Sequence, residues 1–217
     1  MLSETNLTPT EKTIRARRSV RRYRPDAVPR ELIERVLDAA RWAPSAANRQ
    51  PWHFVVITQP ERRAALAKTA GIARIVQRHV AKAPVLIALC GDEQRSSWYV
   101  HDCCLASENL MLAATALGLG TCWIGAFDEG QAWEVLGLPQ GMRVVGLITL
   151  GYPLRSQEPP TPRLPLQDIV HWEAFGPREN WGRRAGRRGQ SGMLSLWRKF
   201  GDFLGLTPGK QSVNRSQ

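Results

Sequence analysis

The sequence predicts an α+β domain in which helices flank a sheet of buried strands. Three runs, 54–58, 84–90 and 142–150, are apolar and rich in β-branched residues, as strands buried in a core are. Longer stretches of helical periodicity lie between them, above all 29–43 and 97–117. With 217 residues, 43% hydrophobic and 23% charged, the chain is long enough for one domain with a real core and an extension. The body is expected over 1–177 and a tail over 178–217.

Taken in order, Thr8-Pro9-Thr10-Glu11 is a capping box with proline at the first helical position, so a helix starts there. In 29–43, Leu32, Ile33, Val36, Leu37 and Ala40 form one apolar stripe, and Pro44 stops the helix. Residues 60–69 read as a helix with Pro60 in its first turn, and 72–82 as another, with Arg74, Arg78 and Lys82 on a solvated face. The stretch 97–117 is apolar over most of its circumference, which predicts a buried helix. His101, Asp102, Glu108 and Asn109 argue against a membrane span there. His101 and Asp102 are adjacent and so diverge on a helix, which makes a catalytic dyad unfavourable. Gly118-x-Gly120 follows a helix and precedes a strand, the reverse of a dinucleotide-binding fingerprint; a helix stop and tight turn explain the two glycines. A short strand at 121–124 and a helix over 128–138 ending near Gly137 complete the body.

Cys90, Cys103, Cys104 and Cys122 show no metal-ligand or disulfide spacing, and core thiols are the expectation. No basic-then-apolar leader pattern opens the sequence, so a cytoplasmic location is expected. Of the net charge of +11, residues 178–217 contribute +7 and residues 1–177 only +4, against a nucleic-acid footprint over the whole body. The tail joins an arginine- and glycine-rich stretch to an amphipathic segment containing Leu196, Trp197, Phe200, Phe203 and Leu204. That pattern suits peripheral contact with an anionic membrane, or packing of an appended helix on the body.

The candidate functional stretch is Arg15-Ala16-Arg17-Arg18-Ser19-Val20-Arg21-Arg22-Tyr23-Arg24, six arginines in ten positions. If 17–21 run extended, Arg17, Ser19 and Arg21 share one face, and Arg18 and Arg22 the other. Two guanidinium forks with a hydroxyl between them suit a phosphate and electron-rich carbonyls. A solvated basic edge and a nucleic-acid patch remain open on charge alone. The loop Pro44-Ser45-Ala46-Ala47-Asn48-Arg49-Gln50-Pro51 is small and polar, so its backbone can come close to a ligand.

Four motifs in this order resemble the FMN-dependent nitroreductase family: the arginine stretch, 42–54, 118–127 (Gly-Leu-Gly-Thr-Cys-Trp-Ile-Gly-Ala-Phe) and Pro162-Arg163-Leu164-Pro165-Leu166. The resemblance covers about residues 12–175. It implies a central mixed, mainly antiparallel sheet flanked by helices, and an intimate homodimer centred on the 97–117 helix. It implies FMN bound by Arg17, Arg18, Ser19 and Arg21; by Pro44, Ser45, Ala46 and Asn48 of the other subunit; by Ile124, Gly125 and Ala126; and by Arg163. In it Arg17 and Arg163 hold the phosphate, Arg21 faces the flavin N1/O2 edge, and backbone N–H groups at Gly125 and Ala126 face N5. Many relatives carry Glu-Gly where this chain has Gly125-Ala126, so no carboxylate role carries over there. Thr161 stands where some relatives add a lysine. NADH or NADPH would be the electron donor, and an electron-poor small molecule such as a nitroaromatic or quinone the acceptor. A flavin-consuming, dehalogenating or dehydrogenating activity on the same fold is an alternative, as is a flavin-binding module at a membrane without turnover. No catalytic side chain and no metal site are expected, because the flavin performs the chemistry.

Overall fold

A computed structural model describes residues 6–72, 75–76, 78–155 and 161–175. The chain divides into two compact units, Met1–Pro160 and Thr161–Gln217. The tail over 178–217, with the amphipathic segment read from its sequence, lies outside the described residues.

The first unit is a four-stranded sheet with helices on both faces. Its strands are β1 (Trp52–Ile57), β4 (Val85–Asp92), β5 (Gly120–Ile124) and β6 (Met142–Gly151), in the order β1-β4-β6-β5, every pair antiparallel. A single parallel bridge, Ser19 to Thr121, attaches the arginine stretch to the β5 edge, which gives the mixed, mainly antiparallel pattern. The helices are α1 (Pro9–Ala16), α2 (Arg30–Arg41), α3 (Pro60–Thr69), α4 (Arg78–Lys82), α5 (Tyr99–Ala116) and α6 (Glu129–Leu136).

Side chains of β4 alternate between two cores, the geometry of a pleated strand covered on both sides. Val85, Ile87 and Leu89 meet Ile33, Val36 and Ala40 of α2 and Cys103, Ala106 and Leu110 of α5. Leu86, Ala88 and Cys90 meet Leu66, Val80 and Ala132 on the opposite face. Cys90 and Cys103 lie in these cores, and burial pushes each thiol up to about 12. Cys122 is also buried, whereas Cys104 faces outward on α5.

Several local signals place the elements. Thr8 and Glu11 form the expected capping box, with the Thr8 N–H donating to Glu11 Oε2 at 2.8 Å. Asp128 Oδ1 accepts the Gln131 N–H at the start of α6, and Gly137 ends it at φ 64. Gly118 at φ 73 stops α5.

Four expectations change. The predicted 72–82 helix is instead a small hairpin, β2 (Gly71–Ile72) with β3 (Ile75–Val76), followed by the short α4. Gly71 at φ 150 breaks from α3 and donates to the Ala126 carbonyl, and the β-branched residues after it prefer an extended chain. Gly120 is in no turn. It opens β5, and a Cβ there would collide with Val20, so glycine lets the arginine stretch lie against the strand. Helix α2 ends at Arg41, before Pro44, through a closing turn from Ala43 N–H to the Ala40 carbonyl. Finally, α5 is buried on its sheet side only; in the single chain Trp98, His101, Cys104, Leu105 and Glu108 are exposed.

Candidate functional site

Arg17 is the C-cap of α1, where the backbone leaves helical geometry for φ −57, ψ 131. The chain then runs extended beside β5. The Val20 N–H donates to the Thr121 carbonyl at 2.8 Å, and Val20 packs into the core over Gly120. Tyr23 anchors the stretch further on, its hydroxyl at 2.6 Å from Thr149 Oγ1 and 2.5 Å from the Val20 carbonyl. Burial pushes the Tyr23 phenol well above its usual pKa, so it stays a neutral anchor.

The extended conformation sorts the side chains as the alternation requires. Burial raises the pKa of the Cys122 thiol, and the charges of Arg21 and Arg17 and the Ser19 hydroxyl oppose that rise. The backbone of this stretch is tied to β5 by the Ser19–Thr121 bridge and the Val20 N–H bond to the Thr121 carbonyl. Arg18 turns away, its Nη1 donating to the Arg15 and Arg17 carbonyls. Cation neutralisation is weak on the other face: Arg17 Nε lies 3.8 Å from Glu108 Oε1, whose side chain is half exposed. Arg21 donates from Nη1 to the Ser19 carbonyl at 3.3 Å.

Two buried polar atoms beside this strip lack a partner among the described residues, Thr121 Oγ1 and His79 Nε2. Burial, and then the Arg21 charge, lower the pKa of the His79 imidazole, which keeps it neutral at pH 7. Buried polar groups are normally satisfied, so two orphans flanking a cationic strip indicate a place for a ligand.

At the far end of β5, Ile124 is buried and the chain emerges as Gly125-Ala126. The Ala126 carbonyl accepts the Gly71 N–H, and Phe127 bridges to Ala70, so this turn is pinned from below. Among the described residues, no acceptor is found for the N–H of Gly125 or of Ala126. A Cβ at Gly125 would come within 3.2 Å of Trp123 Nε1, so glycine keeps the approach to this backbone clear.

The loop after α2 attaches elsewhere. Ser45 is extended, whereas Ala47, Asn48 and Gln50 adopt left-handed backbone at φ 49, 53 and 48. The Ala46 N–H donates to Asp102 Oδ1 on α5, and Arg49 Nη1 to the Arg95 carbonyl. Among the described residues, no hydrogen bond or ion pair joins 44–50 to the arginine strip or to 124–126. Arg163 lies in the second unit, exposed, with its Nη1 donating to the Thr161 carbonyl. One chain therefore brings together Arg17, Ser19, Arg21 and β5 with its exit. Pro44, Ser45, Ala46 and Asn48 form a separate cluster on the start of α5.

Sequence reasoning gave no site role to Tyr23, Thr121 or His79, which acquire meaning only from what they meet in space. It named Asp102 only as a polar residue against a membrane span and as half of an unfavourable dyad. Among the described residues, no cluster of His, Cys, Asp and Glu could hold a metal ion, and no helix is long and apolar enough to cross a membrane.

Comparison with known proteins agrees with the fold and the motif order. The sequence profile of the nitroreductase family matches residues 14–76 and 69–152. A Methanothermobacter thermautotrophicus protein, provisionally named an NADH dehydrogenase/NAD(P)H nitroreductase, is 36% identical over 169 residues, covering 75% of this chain and 85% of that protein. A nitroreductase family protein of Clostridium difficile 630 superposes with a TM-score of 0.69 at 28% identity, over 78% of this chain and all of the other. An FMN-dependent nitroreductase from Clostridium difficile R20291 gives a TM-score of 0.68 at 25% identity, over 75% and 98%. With its profile match spanning more than half the chain and its sheet built in the same way, this protein belongs to the nitroreductase family.

Proposed function

We propose that the chain is an FMN-dependent NAD(P)H oxidoreductase that reduces electron-poor small molecules, nitroaromatics and quinones among them, from a site shared by two copies. Family membership supports the enzyme class, as do the names of the NAD(P)H nitroreductase and FMN-dependent relatives. The observation that carries the reading is the extended run of Arg17, Ser19 and Arg21 tied along β5, beside orphaned polar atoms and a backbone turn whose N–H groups have no acceptor among the described residues.

When bound, FMN would supply two-electron chemistry between NADH or NADPH and the acceptor, with the two small molecules proposed to use one slot in turn. The residues of this chain bind and orient it. Arg17 would hold the phosphate, and Arg163 is the second candidate for it; each charge-assisted bond would contribute about 1.5–3 kcal/mol. Ser19 would line the same approach, whereas Arg18, a cofactor contact by the family resemblance, turns to the other face. The N–H groups of Gly125 and Ala126 would serve the N5 side, and buried Ile124 fixes where that turn emerges. Arg21 would serve the N1/O2 edge and stabilise negative charge there.

The second copy explains two features. Pro44, Ser45, Ala46 and Asn48 sit on α5 away from the strip and serve the partner's cofactor. The exposed residues Trp98 and Leu105 of α5 are covered by the same association. The body-and-tail division at 177/178 and the reading of a peripheral, membrane-touching tail are inferences from sequence. Removing 178–217 should leave FMN binding intact and abolish co-sedimentation with anionic vesicles. Equal sedimentation of the shortened protein would remove the membrane role.

An absorbance spectrum before and after anaerobic NADH or NADPH tests the core of the proposal. The purified protein should be yellow and bleach rapidly, and sustained turnover should leave the flavin intact. A flavin lost during turnover would favour the flavin-consuming alternative, and a flavin that does not bleach would favour the non-catalytic module. Arg21→Ala should retain FMN but lower its reduction potential by about 30 mV, which for a two-electron couple is about 1.4 kcal/mol. An unchanged potential would take Arg21 away from the N1/O2 edge.

A further inference from the structure

We propose that Asp102 is a positioning residue for the cofactor-contacting loop. Its buried carboxylate at the start of α5 holds Ala46, and through it keeps 45–50 in the bent form that meets FMN. The inference rests on the FMN reading above for the ligand, and on the geometry of this chain for the rest.

Asp102 is 3% exposed in a helix whose other sheet-facing residues are mainly apolar. Among the described residues it has no ion-pair partner. A carboxylate taken from water without a countercharge is costly and persists where other donors hold it. Both oxygens are held. Oδ1 accepts the Ala46 N–H at 3.1 Å, and Oδ2 accepts the hydroxyl of Ser96 at 3.2 Å. Ser96 is itself buried, and its Oγ accepts the Trp98 N–H at 3.1 Å, so the carboxylate is locked to the entry of α5. Asp102 also lies in the first turn of α5, where the helix dipole favours negative charge.

The loop on the other end of this bond needs holding. Ala47, Asn48 and Gln50 carry side chains yet take left-handed backbone, a conformation each resists unless its surroundings impose it. The ties from Gln50 N–H to Ser45 Oγ and from Arg49 to the Arg95 carbonyl are exposed and compete with water. The bond to Asp102 is the one made to a buried charged group. Its removal would let the loop relax toward ordinary backbone and withdraw Ala46 and Asn48 from the ligand. Because α5 is also the helix proposed to meet the second copy, the residue that shapes this loop stands on the element that presents it.

The test compares Asp102→Ala, Asp102→Asn and Ser96→Ala in the full chain by FMN titration and hydrogen exchange. Asp102→Ala should weaken FMN binding about tenfold, the effect of losing one bond to a charged group, and speed amide exchange across 44–50 while β4 and β6 stay protected. Asp102→Asn, whose Oδ1 still accepts from Ala46, should recover most of the affinity and slow exchange. A lowered melting temperature with unchanged FMN affinity and unchanged loop exchange would make Asp102 merely structural and overturn the proposal. If Asp102→Ala fails to fold, Ser96→Ala decides: faster loop exchange supports the proposal and wild-type exchange overturns it. If the wild-type protein takes up no FMN, the cofactor reading fails, while the exchange of 44–50 still reports on Asp102.

Discussion

Arg17→Ala should emerge from dialysis colourless. The residue stands at the cap of α1, where the backbone leaves the helix. Its ion pair with Glu108 at 3.8 Å is long and half exposed, so losing it costs the fold little. What is lost, on the proposed reading, is the fork that holds the cofactor phosphate. A charge-assisted bond of about 1.5–3 kcal/mol corresponds to about a tenfold to hundredfold weaker dissociation constant. Arg17→Lys should recover part of this, because a lysine restores the charge without the planar fork. Arg163→Ala should release FMN in the same way if the two share the phosphate. A titration that finds Arg17→Ala binding FMN as tightly as the wild type would remove the phosphate assignment, and with it the register of the whole arginine strip.

Gly146→Ala should be the most damaging single methyl group in the body. Gly146 lies in β6, paired on one side with Leu89 of β4, and the Trp123 ring of the neighbouring β5 lies across it. An added Cβ would fall inside the van der Waals envelope of Trp123 Cη2 and Cζ2, and the ring cannot move without shifting β5. Overpacking of this kind costs on the order of 1–3 kcal/mol. For a chain of this size each kcal/mol lowers the melting temperature by about 2–4 °C. The damage should reach the site, because Trp123 Nε1 stands beside Gly125, at the turn proposed to face N5. Thermal unfolding and FMN titration should therefore deteriorate together. Trp123→Phe in the same chain should restore stability by making room, a non-additive pair typical of touching residues. An unshifted melting temperature in Gly146→Ala would show that the ring does not occupy that space.

These two variants mark different depths of legibility. Arg17 could be found in the sequence because its signals are local: a capping box starts α1, and alternation beyond it separates Arg17, Ser19 and Arg21 from Arg18. Helix starts, the Gly118 and Gly137 stops and the doubly covered β4 belong to the same kind, since each depends on residues a few positions apart. The sequence reads 72–82 as helix because the partner of Gly71, the Ala126 carbonyl, is distant along the chain. Gly146 carried no signal at all, because its meaning is the indole laid over it from another strand.

What the amino-acid order determined by itself is most of the elements, the hairpin of β2 and β3 excepted, the alternation of the cationic strip and the succession of motifs that places the chain in its family. Tertiary structure decided that this strip lies parallel to β5 over Gly120, that Gly125 and Ala126, whose N–H groups have no acceptor among the described residues, emerge at the other end of the same strand, and that the 45–50 loop hangs from a buried carboxylate on α5. Capping and alternation are set by neighbours along the chain, whereas close approach, burial and orphaned polar atoms exist only once distant segments have been packed against one another.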